Sequence, residues 1–476
     1  MPGVPDKRSK RGRSAWMAAL PLMLCAACPG NETSLPGPDA GPLWEPGITY
    51  LSERAPNARG LIDRRGLIHA HSAYSHDACD GNPVDESGQR DPLCLQNFRD
   101  GLCAAKHDFI FLTDHNDAFV DTPFESALLH QDRAGDRWVT RNDEPVASWA
   151  ACPDGHEALI MAGNEGALMP VGLERHIGTA ESKSELYGQN SAVSRAAMRE
   201  AGAIILQAHT ERFNADALID QQLDGFEMYN LHANTMANTG VALELLLRNR
   251  QGDPNLPAPD LFLLSFLAPD ERYLDTWGQV AFRGHRHVTT MGTDCHRNTF
   301  QATLADGERG DSYRRMMIWL SNHLLIRPNE DGSWDDRNAR EALRAGRLYG
   351  AFEVFGYPLG FDFHYEAAGR VSEMGTEVQW RGAGEFIGRK PTVRNLRTDV
   401  RSPEVFLRLL QADVAGWHVV AESDADELRH APEGPGVFRL EVWVIPAHLE
   451  KWMGVDDWNV TGREHVWIYS NPIFLR

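Results

Sequence analysis

With 476 residues the chain exceeds what one hydrophobic core ordinarily organises, so two or three domains are expected. Hydrophobic residues at 42% and charged residues at 24% lie near the soluble globular average, which excludes wholesale disorder and a polytopic membrane protein. A net charge of -20 with no basic stripe among aromatics would repel a phosphate backbone, so nucleic acid is excluded as a partner; a small substrate is not, because a metal ion can supply positive charge locally.

In chain order, Lys7, Arg8, Lys10, Arg11 and Arg13 precede an apolar run from Ala15 to Ala27 that is short for a permanent span, which predicts an export signal over residues 1–28. Two small residues before Cys28 are similar to a bacterial lipobox, implying a lipid anchor at Cys28 and a periplasmic or cell-envelope location. Residues 29–60, rich in Pro and Gly, read as a flexible tether. In an oxidising compartment Cys79, Cys94, Cys103 and Cys152 can form up to two disulfides, with three pairings open.

From residue 61 to 356 apolar runs ("GLIHAHS", "DFIFLTDHND", "ALIMAGNEG", "AIILQAHT", "GFEMYN", "VTTMGTDCH") alternate with helical stretches, which predicts an α/β body built on a parallel sheet covered on both faces. The runs end in polar residues, as strands of a β/α barrel do where reactive groups collect at their C-terminal ends. Residues 120–155 read as an insertion over the barrel mouth, and the aromatic, β-branched segments of residues 357–476 as a small antiparallel β-sandwich.

On a strand, positions i and i+2 face one side, so His69 and His71 can reach one ion from an extended segment. His76 or Asp77 returns from the following turn; His115, Glu165, His176, His209, Asp294 and His296 follow the later runs. With His76 these make nine candidate ligands, more than one tetrahedral site needs, and suit two or three divalent ions (Zn, Mn or Fe) that share carboxylates. A second pair, His285 and His287, precedes its strand and reads as a solvated turn.

The ordered set "HAHSAYSHD", "TDH", "GNE", "AHT" and "TDCH" resembles the PHP superfamily, named for its polymerase and histidinol phosphatase members, over residues 63–355. The resemblance implies a distorted seven-stranded (β/α) barrel with a di- or trinuclear centre at the strand C-termini that hydrolyses phosphoesters. The tail "SNPIFLR" and the stretch "RRMMIWLSNH" are similar to a metallohydrolase branch of that superfamily, some of whose members cleave carbamate or other carboxyl esters.

The expected chemistry is hydrolysis of a small anionic ester by a hydroxide bridging two cations. His69, His71, Glu165 and Asp294 would anchor the pair, with Glu165 the bridge. Glu165, His209, Asp294 and His296 are the residues expected to carry catalysis. Asp114 would orient an imidazole or cap a strand, and Arg175, Arg212, Asn230 and Arg297 would contact substrate. The competing expectation is an exported binding or scaffold protein with structural ions. No G-x-S-x-G elbow, P-loop or H-E-x-x-H helix offers another hydrolase chemistry.

Overall fold

The apolar runs become strands that are buried on both faces, as in Ile62–Ile68, where Leu67 and Ile68 are inaccessible, and in Phe109–Phe111. The computed structural model describes residues 41–476 apart from 82, 85–89, 268 and 457; the expected export signal and lipid anchor lie outside the described residues. The fold is mixed α/β, with a large mixed sheet and two further antiparallel sheets among the described residues.

Ile62–Ile68 runs parallel to Phe109–Phe111, which runs parallel to Glu157–Gly163. Ile204–Gln207, Gly225–Asn230 and Val288–Gly292 form a second parallel set. Between the two lies Met169–Leu173, antiparallel to both of its neighbours. This departs from the all-parallel expectation for a simple reason: the connection Asn164–Leu168 is too short for a crossover, so the chain must double back. A parallel bridge between Ala70 and Cys295, with the His71 amide donating to the Cys295 carbonyl, joins the first and last of these strands beyond their ends. Ser321–Ile326 and Leu348–Ala351 then add antiparallel beside Ile62–Ile68.

Most C-terminal strands are antiparallel, as their short, aromatic and β-branched segments predict; the exception among the described residues is Glu377–Val378, which runs parallel to Ile473–Leu475. Glu404–Ala412, Trp417–Ser423, Gly436–Ile445 and His465–Ser470 pair antiparallel, and His465–Ser470 pairs in turn with Leu348–Ala351, which puts these strands in one sheet with the body. Residues 137–151 form a hairpin, Arg137–Arg141 with Glu144–Ala151, that extends the sheet edge at Glu157–Gly163. Residues 41–52 are anchored rather than free: Trp44, Tyr50 and Ser52 are buried, and the Trp44 amide donates to the Asn395 carbonyl, while most of residues 53–60 are exposed. Two large aromatics supply more apolar area than a solvated tether would leave in water.

Helix Pro92–Ala104 starts where Asp91 accepts from the Leu93 amide and proline occupies the first turn, and it buries Cys94, Phe98 and Leu102 at four-residue spacing. Burial of Phe98, which packs edge-on against Tyr313, and of Leu102 stabilises the helix by roughly 1.5–3 kcal/mol each. Both disulfides end on this helix, Cys79 to Cys94 and Cys103 to Cys152, which resolves the open pairing and ties the loop after His71 to the helix.

Candidate metal centre

The parallel strands deliver their polar ends to one place. His69 and His71 follow Ile62–Ile68, His115 follows Phe109–Phe111, and Glu165 follows Glu157–Gly163; His209 and Asp294 leave the second parallel set. His69, His209 and Asp294 have φ of 79°, 53° and 52°, left-handed conformations that cost a non-glycine residue on the order of 1–3 kcal/mol and persist where surrounding contacts hold them.

At the bottom of the cluster four buried atoms face one another. His69 Nε2 lies 3.5 Å from Glu165 Oε2 and 3.3 Å from Asp294 Oδ1, and His71 Nε2 lies 3.3 and 3.2 Å from the same oxygens. Among the described residues none of these four atoms has a hydrogen-bond partner. Four donors at roughly 2.0–2.1 Å from one ion stand roughly 3.3–3.4 Å apart, the size of this cage. His209 Nε2 approaches from the side, 3.1 Å from Glu165 Oε1 and 3.4 Å from Asp294 Oδ2.

A second group sits above the first. The His71 and His296 rings stack at 3.8 Å, and His296 Nε2 lies 3.3 Å from His115 Nε2. Asp77 Oδ2 caps both, 3.5 Å from His115 Nε2 and 3.4 Å from His296 Nε2. His232 joins Asp294 and His296 in a third group, its Nδ1 3.7 Å from Asp294 Oδ2. These buried imidazole and carboxylate groups could hold metal ions.

Two tautomers are fixed by their partners. His69 Nδ1 lies 2.8 Å from Glu227 Oε1 and His296 Nδ1 lies 2.8 Å from the Asp294 carbonyl; both oxygens accept, so each Nδ1 donates and Nε2 is the nitrogen each ring presents to the cluster. His71 Nδ1 lies 2.8 Å from Ser75 Oγ.

Electrostatics show what the carboxylates demand. Burial alone would push the His71 imidazole down, but Asp294 and Glu165 hold it up at about 9; His209 is held at about 10 against burial, chiefly by Glu165 and Glu211. His69 is likewise raised, by Asp294, Glu227 and Glu165. Against burial, the same imidazoles keep Glu165 and Asp294 well below the usual carboxylate range. His296 is lowered to about 3, by burial and then by His71. Protons on the inner imidazoles thus supply the positive charge that a cation would bring, and the two compete for the same nitrogens.

The structure therefore brings together seven of the nine expected ligands: His69, His71, His115, Glu165, His209, Asp294 and His296. The other two lie elsewhere. His76 is 57% exposed in its side chain and pairs with Asp117 at 3.0 Å, while the next residue, Asp77, turns inward. His176 donates from Nε2 to the Thr122 carbonyl at 2.7 Å and packs against Phe119 and Phe124; burial lowers its pKa. An apolar wall and a backbone partner account for it without an ion. Of the second pair, His287 is buried against Phe226 rather than solvated. Asp114 accepts from the Ser72 amide at 2.7 Å and from Ser72 Oγ at 2.9 Å, so it shapes the ligand loop and orients no imidazole directly.

A cleft of about 500 Å³ opens onto Asp77, His115, Glu165, His209, Asp294 and His296. Its outer wall includes Glu211, Arg212, His232, Met236 and Arg272, and no residue of the 120–155 insertion. Arg212 is the one expected substrate contact on this wall. Arg175 is exposed and pairs with Glu200. Arg297 borders a small cavity behind His232 and a separate groove beside Arg309. Asn230 is buried, donating to Glu227 at 3.1 Å and Asp294 at 3.2 Å while its carbonyl caps the helix Leu231–Ala237.

His232, Glu211 and Glu227 were missed in the sequence. His232 follows "EMYN" just as the other ligands follow their runs, a usable signal; Glu227 lies inside its run, where periodicity marks only burial. No family model, curated protein or solved structure matches the chain, so the chemical reading rests on these residues.

Proposed function

We propose that the protein is a metal-dependent hydrolase of PHP type, a phosphoesterase that holds two or three divalent cations (Zn, Mn or Fe) on the end of a distorted seven-stranded barrel. The observation that carries the reading is the cage of four buried atoms, His69 Nε2, His71 Nε2, Glu165 Oε2 and Asp294 Oδ1, which lack hydrogen-bond partners among the described residues and face a cleft through the adjoining imidazoles. Leaving such atoms unpaired costs about 1–3 kcal/mol each, a penalty that a cation removes in place of the protons that the carboxylates otherwise hold on these imidazoles. The parallel pairings and the Ala70 to Cys295 bridge support the closed ring of strands.

His69, His71, Glu165 and Asp294 would hold one cation. Asp77, His115 and His296 would hold a second with His71 alongside, and His232 with Asp294 and His296 offers a third position. When bound, the cations supply Lewis acidity, acidifying water at neutral pH and neutralising charge on the ester oxygens. Of the imidazoles lining the cleft, His115, His209 and His232 each expose about a quarter of the side chain, and one of them that holds no cation would return a proton to the leaving oxygen. Arg212 and Arg272 on the wall would meet the anionic part of the substrate. Export belongs to the same proposal, supported by two disulfides that need an oxidising compartment, and the lipid anchor at Cys28 rests on the lipobox-like sequence alone.

The test is a hydrolysis screen of phosphomonoesters, phosphodiesters, and carboxyl and carbamate esters with added Mn or Zn, run beside His71→Ala. Turnover of a phosphoester by the wild type, lost in folded His71→Ala, is expected. Turnover of carboxyl or carbamate esters alone would replace the substrate class. Tightly bound metal without turnover of any ester would leave the binding or scaffold reading, and less than one equivalent of transition metal would refute the proposal.

A further inference from the structure

Resting on the metal reading above, we infer that Glu227 is the positioning residue that sets the donor face of the centre: it fixes the His69 tautomer and ties together the backbones and side chains that present His209 and Asp294. The strand Gly225–Asn230 is buried along its length, and an apolar side chain would be the default at its third position. A carboxylate there is costly unless its lone pairs are used.

Among the described residues, the Glu227 side chain bonds to two ligands of the centre and to Asn230, which contacts a third. Oε1 accepts from His69 Nδ1 at 2.8 Å. Oε2 accepts from the His209 amide at 3.1 Å and from Asn230 Nδ2 at 3.1 Å. The same Asn230 nitrogen donates to Asp294 Oδ2 at 3.2 Å, so one amide links the carboxylate to a third ligand. A carboxylate without a proton can only accept, so His69 must donate from Nδ1 and presents Nε2 to the cage. His209 also needs its backbone held, because its φ of 53° is unfavourable for a side-chain-bearing residue.

The neighbouring strand is cut to fit this carboxylate. A Cβ on Gly292 would lie 1.9 Å from Glu227 Oε1 and 3.0 Å from His69 Cβ. Its φ is not in the left-handed range, so the constraint at position 292 is one of space: a side chain there would displace the Glu227 carboxylate from His69. Glu227, Asn230 and Gly292 therefore act as one support beneath His69, His209 and Asp294, and none of the three faces the substrate cleft.

The test is zinc affinity, measured by competition with a chromophoric chelator on wild type, Glu227→Ala and Glu227→Gln. Folding in chelator is checked by circular dichroism, and the visible spectrum of the cobalt form is recorded for each. Glu227→Ala is expected to weaken zinc binding about 10–100-fold and to alter the cobalt bands. Glu227→Gln should fall between, because its carbonyl still accepts from His69 while its NH2 meets two donors. Folded variants that bind zinc within about threefold of wild type, with unchanged cobalt bands, would overturn the inference. A wild type that binds neither metal would instead overturn the underlying metal reading, and this inference with it.

Discussion

Replacing Glu165 with glutamine keeps the shape of the side chain and removes one charge from the middle of four imidazoles. Its oxygens lie 3.5 Å from His69 Nε2, 3.3 Å from His71 Nε2, 3.2 Å from His115 Nδ1 and 3.1 Å from His209 Nε2, with only 11% of the side chain exposed. Removing one member of a buried charged set costs about 3–5 kcal/mol. At about 1.4 kcal/mol per tenfold, zinc affinity should fall between about a hundredfold and a few thousandfold. The metal-free protein should weaken as well. His71 and His209, held at about 9 and 10, contribute stability that is fully present below their unfolded pKa near 6.5 and is lost as pH rises through those values. The stability gap between wild type and Glu165→Gln in chelator should therefore be wide at pH 6 and narrow at pH 10. Chelator competition gives the affinity, and urea midpoints at the two pH values give the gap. Zinc binding within about threefold of wild type would refute the cage argument, and a gap that widens with pH would refute the charge argument.

His176→Ala should leave metal content unchanged and cost about 1–3 kcal/mol of stability through the lost Thr122 contact and packing; metal analysis beside a urea melt checks both, and a loss of bound metal would return His176 to the ligand set. Asp77→Ala should reduce the number of ions bound while His76→Ala does not, and equal stoichiometry in the two variants would contradict the inward placement of Asp77. Away from the centre, His323 is held at about 9 against burial by Asp63 and Glu353. It stabilises the fold fully below pH 6.5 and loses that contribution by about pH 9, so His323→Gln should flatten the alkaline fall in urea midpoint between pH 6 and 9; an unchanged slope would exclude it as the source. Complete removal of metal should lower the melting temperature, since free ion at a thousand times Kd adds about 4 kcal/mol, and identical melts with and without chelator would contradict binding.

The residue types of the centre could be read before any coordinates. Apolar runs marked the strands, and the polar residues ending them marked His69, His71, His115, Glu165, His209, Asp294 and His296, because burial and strand ends leave a local signature. The same locality misled where one residue decides orientation. His76 and Asp77 are adjacent, and Asp77 turns inward to meet His115 and His296 from distant segments, which no spacing records. His176 carries a ligand's side chain but finds Phe119, Phe124 and the Thr122 carbonyl around it. Glu227 sits in an apolar run and is explained only by His69, His209 and Asn230 across the sheet. The antiparallel turn of Met169–Leu173 and the pairing of His465–Ser470 with Leu348–Ala351 also came from long-range contacts. The linear pattern by itself determined which donors exist and that strands carry them, because periodicity and chemistry are local; tertiary packing alone decided which donors meet and which nitrogen each presents, because both depend on partners far away along the chain.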